Sequence, residues 1–192
     1  MGSRDVRRVY AIDVKTWVVL EETEAPGIPW AAVSTGKDLW FTIGEGPEDD
    51  RYLRRYLPGK GFSETERILC PEFTGSYLSY GGEDLYLSQW YKHRILKLDA
   101  NGNILREIAI HAEICGHVFV GGLIYVLRGT EQGDGDWRIA RLDPLEETPQ
   151  IEELARVPFQ SRSLAFHGDS FWTNHREANE IISFAVPGRK KQ

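Results

Sequence analysis

The chain has few cysteines: only Cys70 and Cys115 occur among its 192 residues. Two cysteines do not make the disulfide framework on which small secreted domains depend. We therefore expect both side chains to be free thiols in a reducing compartment, with the cytoplasm as the default location.

Long apolar runs and an excess of basic charge are also missing. No run approaches the roughly 18 apolar residues of a membrane-spanning helix, and residues 1–5 are too polar for a secretory signal. The 23 lysines and arginines are outnumbered by 29 aspartates and glutamates, which gives a net charge of −6. Nucleic-acid binders gain most of their affinity from basic side chains that neutralise phosphates. We therefore expect neither a membrane nor a nucleic acid as partner.

A repeated pattern organises the chain. Each copy has a turn with glycine or acidic residues, then an apolar and aromatic strand, then a polar edge. The aromatic residues that align between copies are Trp40, Tyr86, Tyr125 and Trp172, spaced 46, 39 and 47 residues apart. Repeats of about 40 to 50 residues with four strands each are typical of β-propeller blades. We expect these four aromatic residues to pack between blades.

Further strands are predicted around these four second strands. First strands precede them at residues 30–34, 76–80, 117–120 and 163–166. Third strands follow at 52–57, 94–99, 138–143 and 181–185, and fourth strands at 66–70, 104–110 and 151–157. The clearest hairpin is centred on an Asn-Gly pair within residues 95–108. Residues 150–155 could instead form a helical turn, because glutamate, leucine and alanine favour helices.

The predicted fold is an all-β propeller of about four blades, each a four-stranded antiparallel sheet. The N-terminus supplies two strands, at 9–13 and 17–22, and pairing of an N-terminal strand with the last blade would hide two sheet edges. A partial or open ring is the alternative to this closure. The predicted organisation is a flexible N-terminus at 1–8, a single propeller domain at 9–187 and a disordered tail at 188–192.

The blade sequences resemble a known superfamily. The string Asp38-Leu39-Trp40-Phe41-Thr42 is similar to the core of blades in the virginiamycin B lyase family. Residues 88–99 resemble the N-x-I-x-R/K-hydrophobic-D rhythm of that family, which NHL-repeat and gluconolactonase-like propellers share. The resemblance runs from about residue 9 to residue 187 and concerns the pattern of the blades. It therefore implies the fold well and the function poorly.

The resemblance also implies site residues. Virginiamycin B lyases use a histidine and a glutamate near a magnesium ion in the central mouth. His175 and Glu177 follow a matching second strand and are the catalytic candidates. Gluconolactonase-like propellers have a metal-binding glutamate in an early Glu-Gly-Pro at a first strand, and Glu45-Gly46-Pro47 repeats those letters after a second strand. Those enzymes span six blades, which 192 residues cannot supply.

Four alternating residues raise the possibility of a metal site. His111, Glu113, Cys115 and His117 stand at every second position, so an extended strand would point all four to one face. These side chains are competent ligands for zinc or a similar ion, but the outer pair would lie about 20 Å apart in a straight strand. His117 and His175 are the metal candidates, for Mg²⁺, Ca²⁺ or Zn²⁺. The alternative is that His117 lines the central channel and no cofactor is required.

Strand ends at the central mouth supply the ligand-binding candidates. The first strands of a propeller converge there, and its second strands end there. The predicted residues are Trp30, Tyr77, Gln89, His117, Arg128, Arg162 and Asn174. Such a set could bind a small polar or anionic molecule, or it could line a channel of ordered water. Trp30 and Trp90 are the tryptophans best placed to stack on a ligand.

Three functions fit these observations. The first is a rigid propeller scaffold that binds a small polar ligand or a protein partner at the central mouth. The second is a metal-dependent lyase or lactonase in the same channel, where an ion would polarise a carbonyl or activate water. The third is an assembly module whose exposed edge strands join a second copy into a homodimer.

Overall fold

The computed structural model describes residues 1–129 and 136–188. Within these residues, eighteen β-strands form five sheets. The helical segments described are two three-residue 3₁₀ turns, Pro71–Phe73 and Trp90–Lys92. In the part of the chain described, no helix has the length and apolar character that crossing a bilayer requires. The prediction of an all-β fold is confirmed.

The strands fall into the sheets in strict chain order. The first sheet contains β1 (Gly2–Ser3), β2 (Arg8–Ile12) and β3 (Val19–Glu24). The second contains β4 (Ile28–Ser34), β5 (Leu39–Glu45), β6 (Asp50–Leu57) and β7 (Gly61–Leu69). The third contains β8 (Leu78–Tyr80), β9 (Leu85–Gln89), β10 (Arg94–Leu98) and β11 (Ile104–Ala109). The fourth contains β12 (Glu113–Val120), β13 (Leu123–Gly129), β14 (Trp137–Leu142) and β15 (Glu152–Val157), and the fifth contains β16 (Ala165–His167), β17 (Ser170–His175) and β18 (Glu180–Ala185).

Each sheet is a meander in which successive strands lie side by side. Tight turns permit this order; Gly121 and Gly122 join β12 to β13 with positive φ angles of 60° and 85°, which glycine adopts without a steric cost. The repeat of about 40 to 50 residues therefore corresponds to one four-stranded meander. The ambiguous segment at 150–155 lies mostly in a strand, β15, and the alternative of a helical turn is wrong.

The prediction of about four blades is wrong, because the chain forms five sheets within the described residues. The additional blade is the N-terminal sheet. Gly2 and Ser3 pair with Val9 and Arg8, so three short N-terminal strands make a sheet of their own. A two-residue strand is too short to show the alternation by which strands are recognised in a sequence. Closure of the ring stays a prediction.

The chain divides into two compact units. Unit 1 comprises Met1–Leu87 and Leu98–Leu105, and unit 2 comprises Ser88–Lys97 and the chain from Arg106 onwards. The division passes through the third sheet. The predicted domain limits at 1–8, 9–187 and 188–192 stay a prediction, and residues 189–192 of the tail lie outside the described residues.

Each unit has an aromatic and aliphatic core between neighbouring sheets. In unit 1, Phe41, Tyr56 and Phe62 pack edge to face with ring centroids 5.1 to 5.6 Å apart. In unit 2, Phe171 is fully buried and packs edge to face on Tyr125 at 5.2 Å. Such pairs add about 0.5–1.5 kcal/mol each beyond the burial of their area. These cores hold the strand ends on which the candidate site residues lie.

Candidate functional site

In unit 2, the polar residues predicted for the mouth lie at one end of three sheets. Second strands β9, β13 and β17 end there, and first strands β12 and β16 begin close to it. The residues at this end are Gln89, Trp90, Glu113, Arg128, Arg162 and Asn174. For the residues that lie at strand ends, the ladder hydrogen bonds and the core beneath fix where each side chain begins.

Asn174 holds the segment before β16 in place. Its Oδ1 atom accepts a hydrogen bond from the backbone N–H of Arg162 at 2.9 Å and another from Ser163 Oγ at 2.9 Å. The backbone N–H of Asn174 donates to Ser163 Oγ at 3.1 Å. The residues before β16 lack ladder partners there, so these side chains satisfy their backbone groups instead.

Two buried hydroxyl residues complete this network. Thr173 Oγ1 donates to the carbonyl oxygen of Ser163 at 2.6 Å and is also hydrogen bonded to Ser161 Oγ. Ser161 and Thr173 are both buried. Sequence reasoning did not select these two residues, and the available signal was a threonine near the end of an apolar second strand. Their bonds fix the backbone from which the Arg162 side chain extends.

Arg162 lies over the indole ring of Trp90. The guanidinium carbon is 4.3 Å from the ring centroid, which is the geometry of a cation–π contact. The ring of Tyr91 stacks on Trp90 with centroids 5.1 Å apart and an interplanar angle of 18°. Trp90 begins the 3₁₀ turn that His93 ends in a left-handed conformation with φ 51°. The structure therefore brings the predicted Arg162 and Asn174 together with Trp90.

The start of β12 contains a β-bulge that the sequence did not reveal. Glu113 pairs with Gly129 and Ile114 with Arg128, but Gly116 pairs with Leu127, so Cys115 is an extra residue. A bulge shifts the alternation of side chains by one position. Glu113 and His117 therefore lie on opposite faces of the sheet.

The bulge overturns the expectation that four alternating residues share a face. His111 precedes β12, is exposed and has a positive φ of 55°. His117 is buried within β12, opposite Val126. Among the residues that the structure describes, no group of three or more histidine, cysteine, aspartate or glutamate side chains is arranged to hold a metal ion.

Charged groups near the bulge influence the pKa of the Cys115 thiol. Burial raises the pKa of its thiol to about 11, the Arg162 guanidinium works against that rise, and the Glu113 carboxylate adds to it. Glu113 is itself buried, with 7% of its surface exposed. One basic and one acidic group therefore lie close enough to the bulge to influence the same thiol, and the thiol itself is neutral at neutral pH.

The other predicted residues of unit 2 already have specific partners. Gln89 is buried, and its Oε1 atom accepts a hydrogen bond from Arg94 Nε at 2.6 Å. His175 stacks on Phe159 with centroids 4.5 Å apart, and its Nδ1 atom accepts a hydrogen bond from the backbone N–H of Ala178 at 3.1 Å. A neutral imidazole that accepts at Nδ1 carries its proton on Nε2, so neither nitrogen offers a lone pair to a metal ion. Glu177 is exposed in the turn that follows.

Two of the predicted residues belong to unit 1. The guanidinium carbons of Arg4 and Arg51 lie 3.5 and 3.7 Å from the centroid of the Trp30 ring, so both make cation–π contacts with it. The Trp30 indole N–H donates to Asp49 Oδ1 at 3.3 Å. Tyr77 is half-buried immediately before β8. Trp30 thus has the aromatic–cation contact expected of a ligand site, but this chain's own arginines supply the cations.

Solved structures of other proteins contain a similar arrangement of meander sheets. A catalytically inactive virginiamycin B lyase from Staphylococcus aureus, crystallised with quinupristin, matches with a TM-score of 0.57 and 16% sequence identity. The match covers 98% of this chain and 65% of the lyase, so the chain spans less than two thirds of that enzyme's length. The fold is a β-propeller. The resemblance of the blades to virginiamycin B lyases is confirmed at the level of the fold.

Other propellers match equally well and differ in function. A structure of a nidogen/laminin complex matches with a TM-score of 0.62 and 9% identity, over 91% of this chain and 84% of the other. Hydrazine synthase from Kuenenia stuttgartiensis matches with a TM-score of 0.62 and 12% identity, over 95% and 71%. No protein-family model matches the sequence, and no curated protein matches it. The propeller fold is therefore shared with a lyase, a laminin complex and a synthase, and it assigns no chemistry.

Proposed function

We propose that this propeller is a scaffold that binds a small polar ligand at the strand ends of unit 2. We call this place the Arg162 site and define it by Trp90, Arg128, Arg162, Ser163 and Asn174. The observation that carries the proposal is the contact of Arg162 with Trp90, at 4.3 Å, on a backbone that Asn174 holds. A half-buried guanidinium against an aromatic ring provides charge, hydrogen-bond donors and an apolar surface in one place.

Rigidity supports a binding role for the Arg162 site. Binding costs less entropy where the side chains of the site are already held in place before the ligand arrives, so affinity is higher. The hydrogen bonds of Ser163, Thr173 and Asn174 fix the backbone on one side, and the 3₁₀ turn from Trp90 fixes the ring on the other. We further propose that the protein works in the cytoplasm, because Cys70 and Cys115 are both buried free thiols.

Thermal denaturation of the full chain with a panel of small polar compounds tests this proposal. The panel contains amino acids, sugars, carboxylic acids and nucleosides, together with Mg²⁺, Ca²⁺ and Zn²⁺ added alone. At least one organic compound should raise the melting temperature of the wild type but not of Trp90→Ala or Arg162→Ala. Arg156→Ala is the matched control, because Arg156 belongs to the same unit and is largely exposed. Equal stabilisation of all four proteins, or of none, would contradict the proposal.

The metal-dependent lyase or lactonase stays an alternative that the same panel addresses. A metal ion that stabilises the wild type, but not a His117→Ala or His175→Ala variant, would favour it. The hydrogen bond from Ala178 to His175 Nδ1 argues against His175 as a ligand. We therefore place this alternative second to the binding scaffold.

Self-association through β3 is a further candidate, favoured by a separate observation. β3 is the outer strand of the first sheet, and Val18, Val19 and Leu20 are each at least half exposed. An edge strand with exposed apolar side chains can pair with the same strand of a second copy. Light scattering should then show a dimer that Leu20→Asp converts to a monomer, while Leu145→Asp, at another exposed leucine, leaves it intact. A monomeric wild type would rule this candidate out.

A further inference from the structure

Three buried hydrogen-bond donors at the Arg162 site are unused. Among the described residues, Arg128 Nε, Arg162 Nε and Trp90 Nε1 are buried and have no hydrogen-bond partner. Buried donors are rarely left without an acceptor, because each has given up its bonds to water. A group of such donors at one strand-end cluster indicates that something else supplies the acceptors.

The three donors belong to elements that lie next to one strand, β12. Arg128 lies opposite Ile114 in the β12–β13 ladder. The 3₁₀ turn that begins at Trp90 contacts β12. The segment after Arg162 passes so close to β12 that a Cβ atom on Gly116 would lie 2.6 Å from the backbone nitrogen of Leu164. All three donors therefore belong to elements that touch β12.

Two side-chain acceptors in the same region are already engaged. Gln89 Oε1 accepts from Arg94 Nε, and Asn174 Oδ1 accepts from the Arg162 backbone and from Ser163. These two oxygens are therefore not available to the three donors of the Arg162 site. A ligand that complements it must bring acceptor oxygens, as carboxylates and phosphates do.

The two arginines favour an anion at this place. Arg128 and Arg162 contribute two positive charges at this end of unit 2, whereas Glu113 pairs with Gly129 and so lies on the other face of the β12–β13 ladder from Arg128. A carboxylate presents two acceptor oxygens in one plane, the arrangement that a guanidinium recognises best.

We propose that the Arg162 site binds the carboxylate group of a small organic monoanion through Arg162, Arg128 and the Trp90 indole N–H. This inference rests on the proposed function and names the class of ligand. Arg162 supplies the main charge over the Trp90 ring, and Arg128 supplies a second donor.

Calorimetric titration of the full chain with benzoate, benzamide and inorganic phosphate tests the inference. Benzoate and its neutral isostere benzamide have nearly the same shape, so their difference isolates the charge. Benzoate should bind at least about tenfold more tightly than benzamide or phosphate, as expected of a charge-assisted bond. Arg162→Gln and Arg128→Gln should each weaken benzoate about tenfold, whereas Arg156→Gln should not.

A conservative variant controls for the possibility that a substitution disrupts the fold. Trp90→Phe keeps an aromatic ring for Arg162 but removes the indole donor, so it should weaken benzoate while circular dichroism shows an unchanged fold. Benzamide or phosphate binding as tightly as benzoate would overturn the inference, as would benzoate affinity that is unchanged in Arg162→Gln. A neutral compound whose stabilising effect requires Trp90 would still support the proposed function, so the two failures are distinguishable.

Discussion

Asn174 shows how one side chain can define the geometry of a site. Its amide oxygen receives two hydrogen bonds, both at 2.9 Å, from residues that immediately precede β16. The sequence placed Asn174 among the mouth residues because of its position at the end of a second strand. That it acts by holding Arg162 depends on tertiary contacts, which no sequence pattern encodes.

Replacement of Asn174 by alanine should destabilise the protein by about 2 kcal/mol. The substitution removes the acceptor of two partly buried donors, and each donor left unpaired costs about 1–3 kcal/mol, partly recovered through water. Urea denaturation followed by tryptophan fluorescence measures this change. Asn101→Ala is the control, since Asn101 is exposed in a turn and should change stability by less than about 0.5 kcal/mol. Equal effects of the two substitutions would contradict the assigned role.

The cysteines give the protein a defined response to alkaline pH. Burial raises the pKa of the Cys70 thiol to about 12 from a reference value of 9.0. Below pH 9 the thiol is neutral in both states, so its contribution to stability is fully present. As the pH rises from 9 towards 12, only the unfolded chain ionises, and that contribution is lost.

The free energy of unfolding should therefore fall above pH 9, and less steeply in Cys70→Ala than in the wild type. Denaturant titrations at a series of pH values measure the slope. Cys115→Ala should remove a smaller part of it, because the pKa of that thiol rises only to about 11. An unchanged slope in Cys70→Ala would show that the thiol is not buried as described.

Strands were the most predictable elements, and their irregularities the least. The four second strands contain the aromatic positions at which the repeat placed them, and the third strands match their predicted bounds within two residues at each end. The alignment of aromatics was only partly informative: Tyr86 and Tyr125 are buried, but Phe41 and Phe171 are buried where Trp40 and Trp172 were expected. The bulge at Cys115 and the close approach of another segment to Gly116 were not predicted, because both depend on tertiary contacts.

Gly116→Ala tests that approach. An added Cβ would lie 2.6 Å from the nitrogen of Leu164 and 2.9 Å from the carbonyl carbon of Ser163, and backbone atoms cannot rotate away. We expect a loss of about 3 kcal/mol and weaker ligand binding at the Arg162 site. Gly122→Ala is the comparison: it has φ +85° and open space, so only a backbone cost of about 1 kcal/mol applies. A loss no larger than that of Gly122→Ala would contradict the close contact.

The molecule as a whole is a propeller whose blade count could not be read from its repeats. Four repeats were visible because their aromatic second strands are 39 to 47 residues apart, whereas the second strand of the N-terminal sheet, with Tyr10, lies only 30 residues before Trp40 and follows a two-residue first strand. Its fold is similar to that of a lyase, of a chain in a nidogen/laminin complex and of a hydrazine synthase. Function at this scale therefore depends on which side chains the strand ends present, and in unit 2 they present arginine against tryptophan.

Titration of the isotope-labelled chain with benzoate, followed through the indole N–H signals of its six tryptophans, tests the central claim most directly. The signal that disappears in Trp90→Phe identifies Trp90. We predict that this signal shifts progressively to saturation and moves more than the signals of the other five. A Trp90 signal that stays in place while benzoate binds, or while another indole signal moves, would contradict the Arg162 site as the place of binding.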